Sequence, residues 1–426
     1  MITKNDLSGE FIDKIISIDG GICAVSEVEV SGVRNGKYGV SIIICKDSNV
    51  TGVFTSNKVI AAPVQYTKKI IEDGKVSAII ANSGNANCFT GDQGIFDCEK
   101  TVETLSKIFE IPKNQIATAS TGVIGRKMPM DIIIELINQA SQNVENSNEA
   151  SINAAKAIMT TDTVYKEAAV EVTLENNKKI KIGGICKGTG MIAPNMGTML
   201  CFIATDAVAD QKILNESLKN SVNDSFNMVI VDGDESTNDT VLLFANGKSG
   251  NSILVDNNID KNFQEGLNIL CKDLAKQMAK DGEGATKFLE VEVKGAKTKI
   301  DAQIASKSVV KSSLVKSAVF GGDPNWGRIV AAVGYSGAYM DPDDITIAIS
   351  SEKKLVNLVL DGEILAFEGT DNLKIAESIM NEKEIKIIVD LKEGTYDAIA
   401  YGCDLTYDYV KINAEYTTWF IYLLIY

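Results

Sequence analysis

Short β-branched apolar runs alternate with longer stretches of helical period along nearly the whole chain, and this alternation constrains the fold more than any other feature. Residues 40–45, 77–81, 168–174, 199–205, 228–232, 240–245, 289–294, 345–350 and 385–391 read as strands. The spacing predicts helices over 96–109, 130–140, 149–159, 211–220, 258–280 and 372–381. In the longest of these, Phe263, Leu267, Leu270, Leu274 and Met278 fall on one face. That helix runs into Asp281-Gly282-Glu283-Gly284, a loop that stops it and presents a carboxylate. The pattern is that of an α/β protein. The length, 426 residues, suits about two or three domains' worth of packed core. No fixed-period repeat interrupts it, and no linker divides it. A Lys- and Ser-rich stretch over 295–316 marks the expected region of a C-terminal subdomain.

A formal charge of −15 argues against nucleic acid or an anionic membrane as partner. Anionic small substrates remain open, provided the site supplies local cations. The eight cysteines, Cys23, Cys45, Cys88, Cys98, Cys186, Cys201, Cys271 and Cys403, form no CxxC pair, and several sit in apolar runs. They read as buried thiols in a reducing compartment. With no histidine and no cysteine cluster, a zinc site is not expected. The opening MITKNDLSGE lacks an apolar signal core, so the expected location is the cytoplasm. The last eight residues, 419–426, are apolar or aromatic but too few to span a bilayer.

The complete absence of histidine also constrains the chemistry. It removes the usual general base for a Ser, Thr or Cys nucleophile. A lysine, a carboxylate or a freed α-amino group must serve instead. The segment KGTGMIAPNMGTMLC, residues 187–201, offers the last option. Within it Gly197 precedes Thr198, and backbone scission there would give Thr198 both a hydroxyl nucleophile and an adjacent amine base. Attack on the preceding carbonyl needs a strained backbone and an oxyanion hole, and Gly197 tolerates unusual dihedrals. Ser120-Thr121-Gly122-Val123-Ile124-Gly125 reads as a small-residue loop able to donate a backbone N–H and a Thr hydroxyl. Other motifs fit less well. Gly188-Thr-Gly190-Met-Ile-Ala193 resembles a dinucleotide loop, but Pro194 follows at once and a strand rather than a helix comes next. Gly247-Lys248-Ser249 lacks the upstream glycine of a phosphate-binding loop. Asp232-Gly-Asp234-Glu-Ser236-Thr-Asn238-Asp239 lacks the central glycine and closing glutamate of a calcium loop, and reads as a turn with capping side chains.

Several long motifs, taken in order, carry a resemblance. They are Asn82-Ser-Gly-Asn-Ala-Asn87, residues 120–125, Met159-Thr-Thr-Asp-Thr163, residues 187–200, 232–240 and 281–287, Gly321-Gly-Asp-Pro-Asn-Trp-Gly-Arg328, and residues 402–413. Through them the sequence resembles the ornithine acetyltransferase family, also called glutamate N-acetyltransferase, over nearly its whole length. Members cleave themselves before a threonine in the pattern matching Met196-Gly197-Thr198. Many have Ala at the position of Gly197, a difference that still permits cleavage.

The resemblance implies an αββα layered sandwich akin to N-terminal-nucleophile hydrolases, with a smaller C-terminal α/β subdomain from about residue 288. It implies an α chain of residues 1–197 and a β chain of residues 198–426, assembling as a heterotetramer with two of each. Thr198 corresponds to the nucleophile, and Thr121 and Gly122 to the oxyanion hole. Thr160, Lys187, Thr198, Glu283, Asn413 and Thr418 match substrate-contact positions. The implied reaction is ping-pong transfer of acetyl from N2-acetylornithine to glutamate through acetyl-Thr198, in arginine biosynthesis, with no cofactor or metal. Whether acetyl-CoA is also accepted stays open. A hydrolase of the same nucleophile class, an aminopeptidase or amidase, is the alternative enzyme. A small-molecule-binding scaffold with an ordinary strand threonine at 198 is the non-enzymatic one. Residues 419–426 have no counterpart in the family pattern, which ends near Thr418.

Overall fold

The computed structural model describes residue 2, residues 9–193 and residues 199–415. Two compact units divide the chain, Met1–Asn227 with Asp234–Ala275, and Met228–Gly233 with Lys276–Tyr426.

The strands of the first unit are β1 (Ile15–Ser17), β2 (Glu29–Asn35), β3 (Tyr38–Phe54), β4 (Lys75–Asn85), β5 (Ile116–Val123), β6 (Lys166–Thr173), β7 (Lys179–Lys187) and β8 (Leu200–Thr205), then β10 (Thr240–Ala245) after β9 (Val229–Ile230) of the second unit. Their hydrogen-bonded order is β1-β6-β7-β8-β10-β3-β4-β5, with β2 also on β3. The long β3 belongs to two layers. Its first half pairs with β2 and β4, its second half with β10, and its pairing with β4 shifts register between Ile44 and Ser48. Ile43, Cys45, Ile79, Ala81, Ala117 and Ala119 of one layer close against Ile185, Leu200, Phe202, Ala204, Leu242 and Phe244 of the other in one buried cluster. The alternate residues Val40, Ile42, Ile44, Ala78 and Ile80 point outward, as the two-residue period of a strand requires. They pack on Val102 and Leu105 of α2 (Asp92–Phe109), which follows α1 (Ala62–Ile70), and on Ile133, Leu136 and Ile137 of α3 (Met130–Ala140), which precedes α4 (Asn148–Ala157). Helices α5 (Gln211–Asn223) and α6 (Lys261–Lys280) line the other side, where Gly184 of β7 backs onto Leu274 and Gly266 of α6 onto Val172. The first unit is therefore the αββα sandwich that the resemblance implies.

In the second unit a seven-stranded sheet is formed by β9, β13 (Phe288–Ala296), β14 (Thr346–Ser350), β15 (Leu355–Leu360), β16 (Glu363–Ile364), β17 (Glu384–Asp390) and β18 (Tyr396–Cys403). Leu289, Val291, Val293, Ile347, Ile349, Ile385 and Ile387 turn one face to α7 (Lys299–Lys311), α8 (Ser313–Gly321), α9 (Trp326–Gly334) and α10 (Asp371–Met380). On the opposite face Lys386 bridges Glu290 and Glu292, each at 3.0 Å. Side chains of Thr298, Ser312, Asn325 and Thr370 cap the N-termini of the four helices, as their residue types favour.

Two sequence expectations need correction. Residues 120–123 are not a loop but the end of β5, parallel to β4. Small side chains there hide a strand pattern, since Ser120 and Thr121 on alternate faces are both buried and no exposed polar residue marks an outer face. The helix expected over 258–280 starts at Lys261, since β11 (Leu254–Val255) and β12 (Asn258–Ile259) pair as a hairpin. Asp256 and Asn257 make its turn with φ of 49° and 65°, where Asp and Asn are better tolerated than most residues.

Candidate active site

Lys187 closes β7 and is buried, at 1% exposure. Its Nζ donates to Thr160 Oγ1 at 2.8 Å and lies 3.7 Å from Asp162 Oδ2. Asp162 also pairs with Lys166 at 2.8 Å, with both side chains wholly buried. Its carboxylate accepts the backbone N–H of Gly188 at 2.8 Å and of Thr160 at 3.0 Å. Thr161 and Thr189 share a hydroxyl hydrogen bond at 2.8 Å. The Met159-Thr-Thr-Asp-Thr163 turn is thereby stitched to the end of β7, bringing Thr160 and Lys187 together. Burial alone would raise the Asp162 pKa, but Lys187 and then Lys166 outweigh it and hold the carboxyl well below its ordinary value. One carboxylate thus stands between two buried ammonium groups.

Thr121 and Gly122 lie at the end of β5, beside Ser83 and Gly84 of β4. Gly122 has φ of 132°, and a Cβ there would fall 2.4 Å from the Gly84 carbonyl carbon. Only glycine fits this close approach of two backbones. Thr121 is 1% exposed, and among the described residues its Oγ1 has no hydrogen-bond partner. A buried hydroxyl left in this way costs free energy unless something else meets it, so it is a candidate donor to a bound oxygen. The asparagines of residues 82–87 form the frame behind it. Ser120 Oγ donates to Asn82 Oδ1 at 2.5 Å, Asn82 Nδ2 to the Asn85 carbonyl at 3.0 Å, and Asn85 Nδ2 to the carbonyls of Arg126 and Lys127.

Gly197 and Thr198, the expected cleavage pair, lie outside the described residues, as do Thr418 and residues 419–426. Met199, the next residue after Thr198, is described and buried. Its N–H donates to Asp239 Oδ1 at 3.0 Å, and its carbonyl accepts from Thr240 N at 3.1 Å. Asp239 is wholly buried, and burial pushes its carboxyl up to about 8 despite the Met199 amide, the Ser236 hydroxyl and the Lys187 charge.

In the second unit, Glu283 follows α6 in the loop that the sequence places there, and is mostly buried. Its Oε2 accepts from Asn413 Nδ2 at 2.9 Å. Asn413 sits in α11 (Tyr407–Glu415), whose start packs on Gly284, a residue with φ of 70° that a Cβ would drive into the Tyr409 backbone. Thr406 Oγ1 donates to the Gly284 carbonyl, and Asp404 accepts from the N–H groups of Thr286 and Lys287. Glu283 and Asn413 are thus brought into one cluster from positions 130 residues apart.

The ArgJ family pattern matches residues 25–418. The chain belongs to the ArgJ family. The glutamate N-acetyltransferases of Methanothermobacter thermautotrophicus and Methanocaldococcus jannaschii are each 54% identical to this ArgJ-family chain, over 94% of it and over 98% and 99% of their own lengths. Among solved structures, the arginine biosynthesis bifunctional protein of Bacillus halodurans is 43% identical, with a TM-score of 0.46 over 50% of this chain and 97% of that one. The ornithine acetyltransferase of Mycobacterium tuberculosis, complexed with ornithine, is 29% identical, with a TM-score of 0.39 over 44% and 100%.

In this ArgJ-family chain, sequence reasoning did not single out Asp162, Lys166, Asn238 or Asp239 as site residues. All four are buried polar residues; Asp162, Asn238 and Asp239 lie inside motifs that were visible, 159–163 and 232–240, and Lys166 opens β6 just beyond the first. The available signal was the density of carboxylates and amides in segments flanked by apolar strands. The eight cysteines are all buried, and burial pushes the thiols of Cys23, Cys98 and Cys186 up to about 12, as inert core thiols require.

Proposed function

We propose that this protein transfers an acetyl group from N2-acetylornithine to glutamate in arginine biosynthesis, after cleaving itself between Gly197 and Thr198. The observation that carries this reading is the match, along nearly the whole of both chains, to archaeal glutamate N-acetyltransferases, with a Gly-Thr junction in the family's cleavage pattern.

In the proposed cycle the freed α-amine of Thr198, with an ordinary pKa of about 7.7–8.0, takes the Thr198 hydroxyl proton near neutral pH. Oγ1 of Thr198 attacks the acetyl carbonyl of N2-acetylornithine. Thr121 and Gly122 stabilise the oxyanion, a role supported by the buried Thr121 hydroxyl, which has no partner among the described residues, and by the glycine-only backbone at 122. The C–N bond breaks, the held proton passes to the leaving amine, and ornithine departs. The glutamate amine then attacks the acetyl-Thr198 ester, and N-acetylglutamate leaves as the Thr198 hydroxyl is restored. The ester conserves the acetyl group, so the cycle needs no cofactor. Lys187, steadied by Thr160, supplies the cation that a substrate carboxylate requires in an acidic protein. Glu283, with Asn413 beside it, receives the side-chain amine of ornithine. Thr418 completes the substrate contacts. The mature protein is two chains, residues 1–197 and 198–426, assembling as two of each.

Denaturing gel and mass analysis of the purified protein test this directly. The expected result is two fragments, the second beginning at Thr198. That fragment gains one acetyl mass on incubation with N2-acetylornithine alone and loses it when glutamate is added. Thr198→Ala is expected to stay as one inactive chain. An active wild-type enzyme that remains one chain, or an acetyl mass on another residue, would overturn the mechanism. Loss of the acetyl mass to water as fast as to glutamate would favour the hydrolase alternative.

A further inference from the structure

The segment of residues 236–240 is absorbed by none of the roles above, yet all five of its residues are buried. Asn238 Nδ2 donates to two carbonyls, of Ala86 at 2.6 Å and of Ser120 at 2.9 Å. The Ser120 carbonyl belongs to the same peptide plane as the N–H of Thr121. Asn238 is held in turn by Thr237 Oγ1, which donates to its Oδ1 at 2.6 Å, and by its own N–H, which donates to Ser236 Oγ at 3.1 Å. The next residue, Asp239, accepts the Met199 N–H, the first amide beyond Thr198. The Asp239 carbonyl accepts from Thr55 N at 3.1 Å, and Thr55 Oγ1 donates to the Ser236 carbonyl at 2.6 Å, so the segment is tied to the end of β3 as well. One dipeptide therefore grips β5, the strand that carries Thr121-Gly122, with its first side chain and Met199, the residue that leads into β8, with its second.

We infer that Asn238 and Asp239 are positioning residues that set the spacing between the nucleophile's strand and the oxyanion-binding strand. The inference rests on the assignment of Thr198 as nucleophile and Thr121-Gly122 as oxyanion donors. Neither residue is expected to touch substrate. Each works by hydrogen-bond polarity: position 238 must donate to two carbonyls, and position 239 must accept one N–H. An acceptor of the same shape suffices at 239, because the Met199 N–H needs a single acceptor oxygen and burial already favours the uncharged acid there.

This predicts opposite outcomes for two isosteric exchanges. Asp239→Asn keeps an acceptor for the Met199 amide and is expected to retain kcat within about threefold. Asn238→Asp replaces the two-bond donor by an acceptor facing two carbonyls, and is expected to lower kcat about 10- to 100-fold, the cost of a misplacement of about 1 Å at reacting atoms. KM for both substrates is expected to stay within about twofold in each variant, since no substrate contact is touched. Asn238→Ala and Asp239→Ala are expected to follow Asn238→Asp in losing kcat, and to slow self-cleavage in parallel because it uses the same hydroxyl and oxyanion donors. Should the alanine variants fail to fold, the isosteric pair still decides. Equal kcat in Asn238→Asp and wild type, loss of kcat in Asp239→Asn as deep as in Asn238→Asp, or a rise in KM with kcat unchanged would overturn the inference. Acetyl labelling of wild-type Thr198 is run beside these measurements. Labelled Thr198 with indifferent variants defeats the positioning role alone, and an unlabelled Thr198 defeats the nucleophile assignment itself.

Discussion

Replacing Asp162 by Asn takes one negative charge from between two buried ammonium groups with almost no change of shape. The carboxylate lies 2.8 Å from Lys166 Nζ and 3.7 Å from Lys187 Nζ. At an effective dielectric of about 20 these separations correspond to gross attractions of roughly 6 and 4–5 kcal/mol. Most of that is offset by the cost of taking three charges out of water. The net penalty for removing one partner of a buried ion pair is about 3–5 kcal/mol, because the remaining charges lose their compensation. For a unit of this size that corresponds to a fall in Tm of roughly 6–20 °C. The pH dependence gives a second, sharper signature. The folded state holds the Asp162 carboxyl below its ordinary value, so it binds that proton more weakly than the unfolded chain does. The stability it contributes is complete above the unfolded pKa of 3.8 and is lost as pH falls through and below it. Thermal unfolding of wild type and Asp162→Asn, followed by circular dichroism from pH 7 down to pH 3, reads both effects. The gap in Tm is expected to be full at pH 7 and to shrink toward pH 3. A Lys166→Met variant and the double variant complete a cycle, in which the double variant is expected to be more stable than the sum of the single losses. A gap of under 2 °C at pH 7, or an identical acid limb in both proteins, would refute the claim that this carboxylate holds Lys166 and Lys187.

Two further outcomes are expected. Gly122→Ala places a Cβ 2.4 Å from the Gly84 carbonyl carbon at a φ of 132°, so it is expected to lower kcat by about 10²-fold or more, as loss of an oxyanion donor does; an activity within threefold of wild type would remove Gly122 from that role. Glu283→Gln keeps a hydrogen-bond acceptor for Asn413 but removes the charge proposed to meet the ornithine amine, so KM for N2-acetylornithine is expected to rise about 10- to 100-fold with KM for glutamate unchanged, and an equal rise in both would show that Glu283 does not discriminate the two substrates.

Much of the scaffold was legible because its signals are local. The heptad-like spacing of Phe263, Leu267, Leu270, Leu274 and Met278 declared α6, and every one of those residues is buried. The β-branched apolar run over residues 40–45 declared β3, and the polar stop after Lys280 placed the Glu283 loop. Family motifs in the chain also named Thr160, Lys187, Glu283 and Asn413, and the fold sets Thr160 against Lys187 and Glu283 against Asn413. Periodicity failed where pairing decides the conformation. Ser120 to Val123 carries no strand pattern of its own, yet lies in β5 because β4 offers it a parallel ladder. Residues 258–259 fit a helical stripe but are taken by the hairpin turn at Asp256-Asn257.

What no stretch of sequence could declare is the meaning of its buried polar groups. Asp162 is an acid in a turn until the end of β7 places Lys187 and Gly188 against it. Asp239 is one of several acids in a polar run until strand pairing buries it against the Met199 amide. A carboxylate's charge, and an amide's choice of partner, are set by the local dielectric and by the groups that share the space. Both are created only when strands far apart in sequence are laid side by side. The chain's own order of residues therefore determined which elements form and which chemistry is available, and the tertiary structure alone decided which acids lie beside buried cations, which amides tie distant strands together, and which residues the proposed site can draw on.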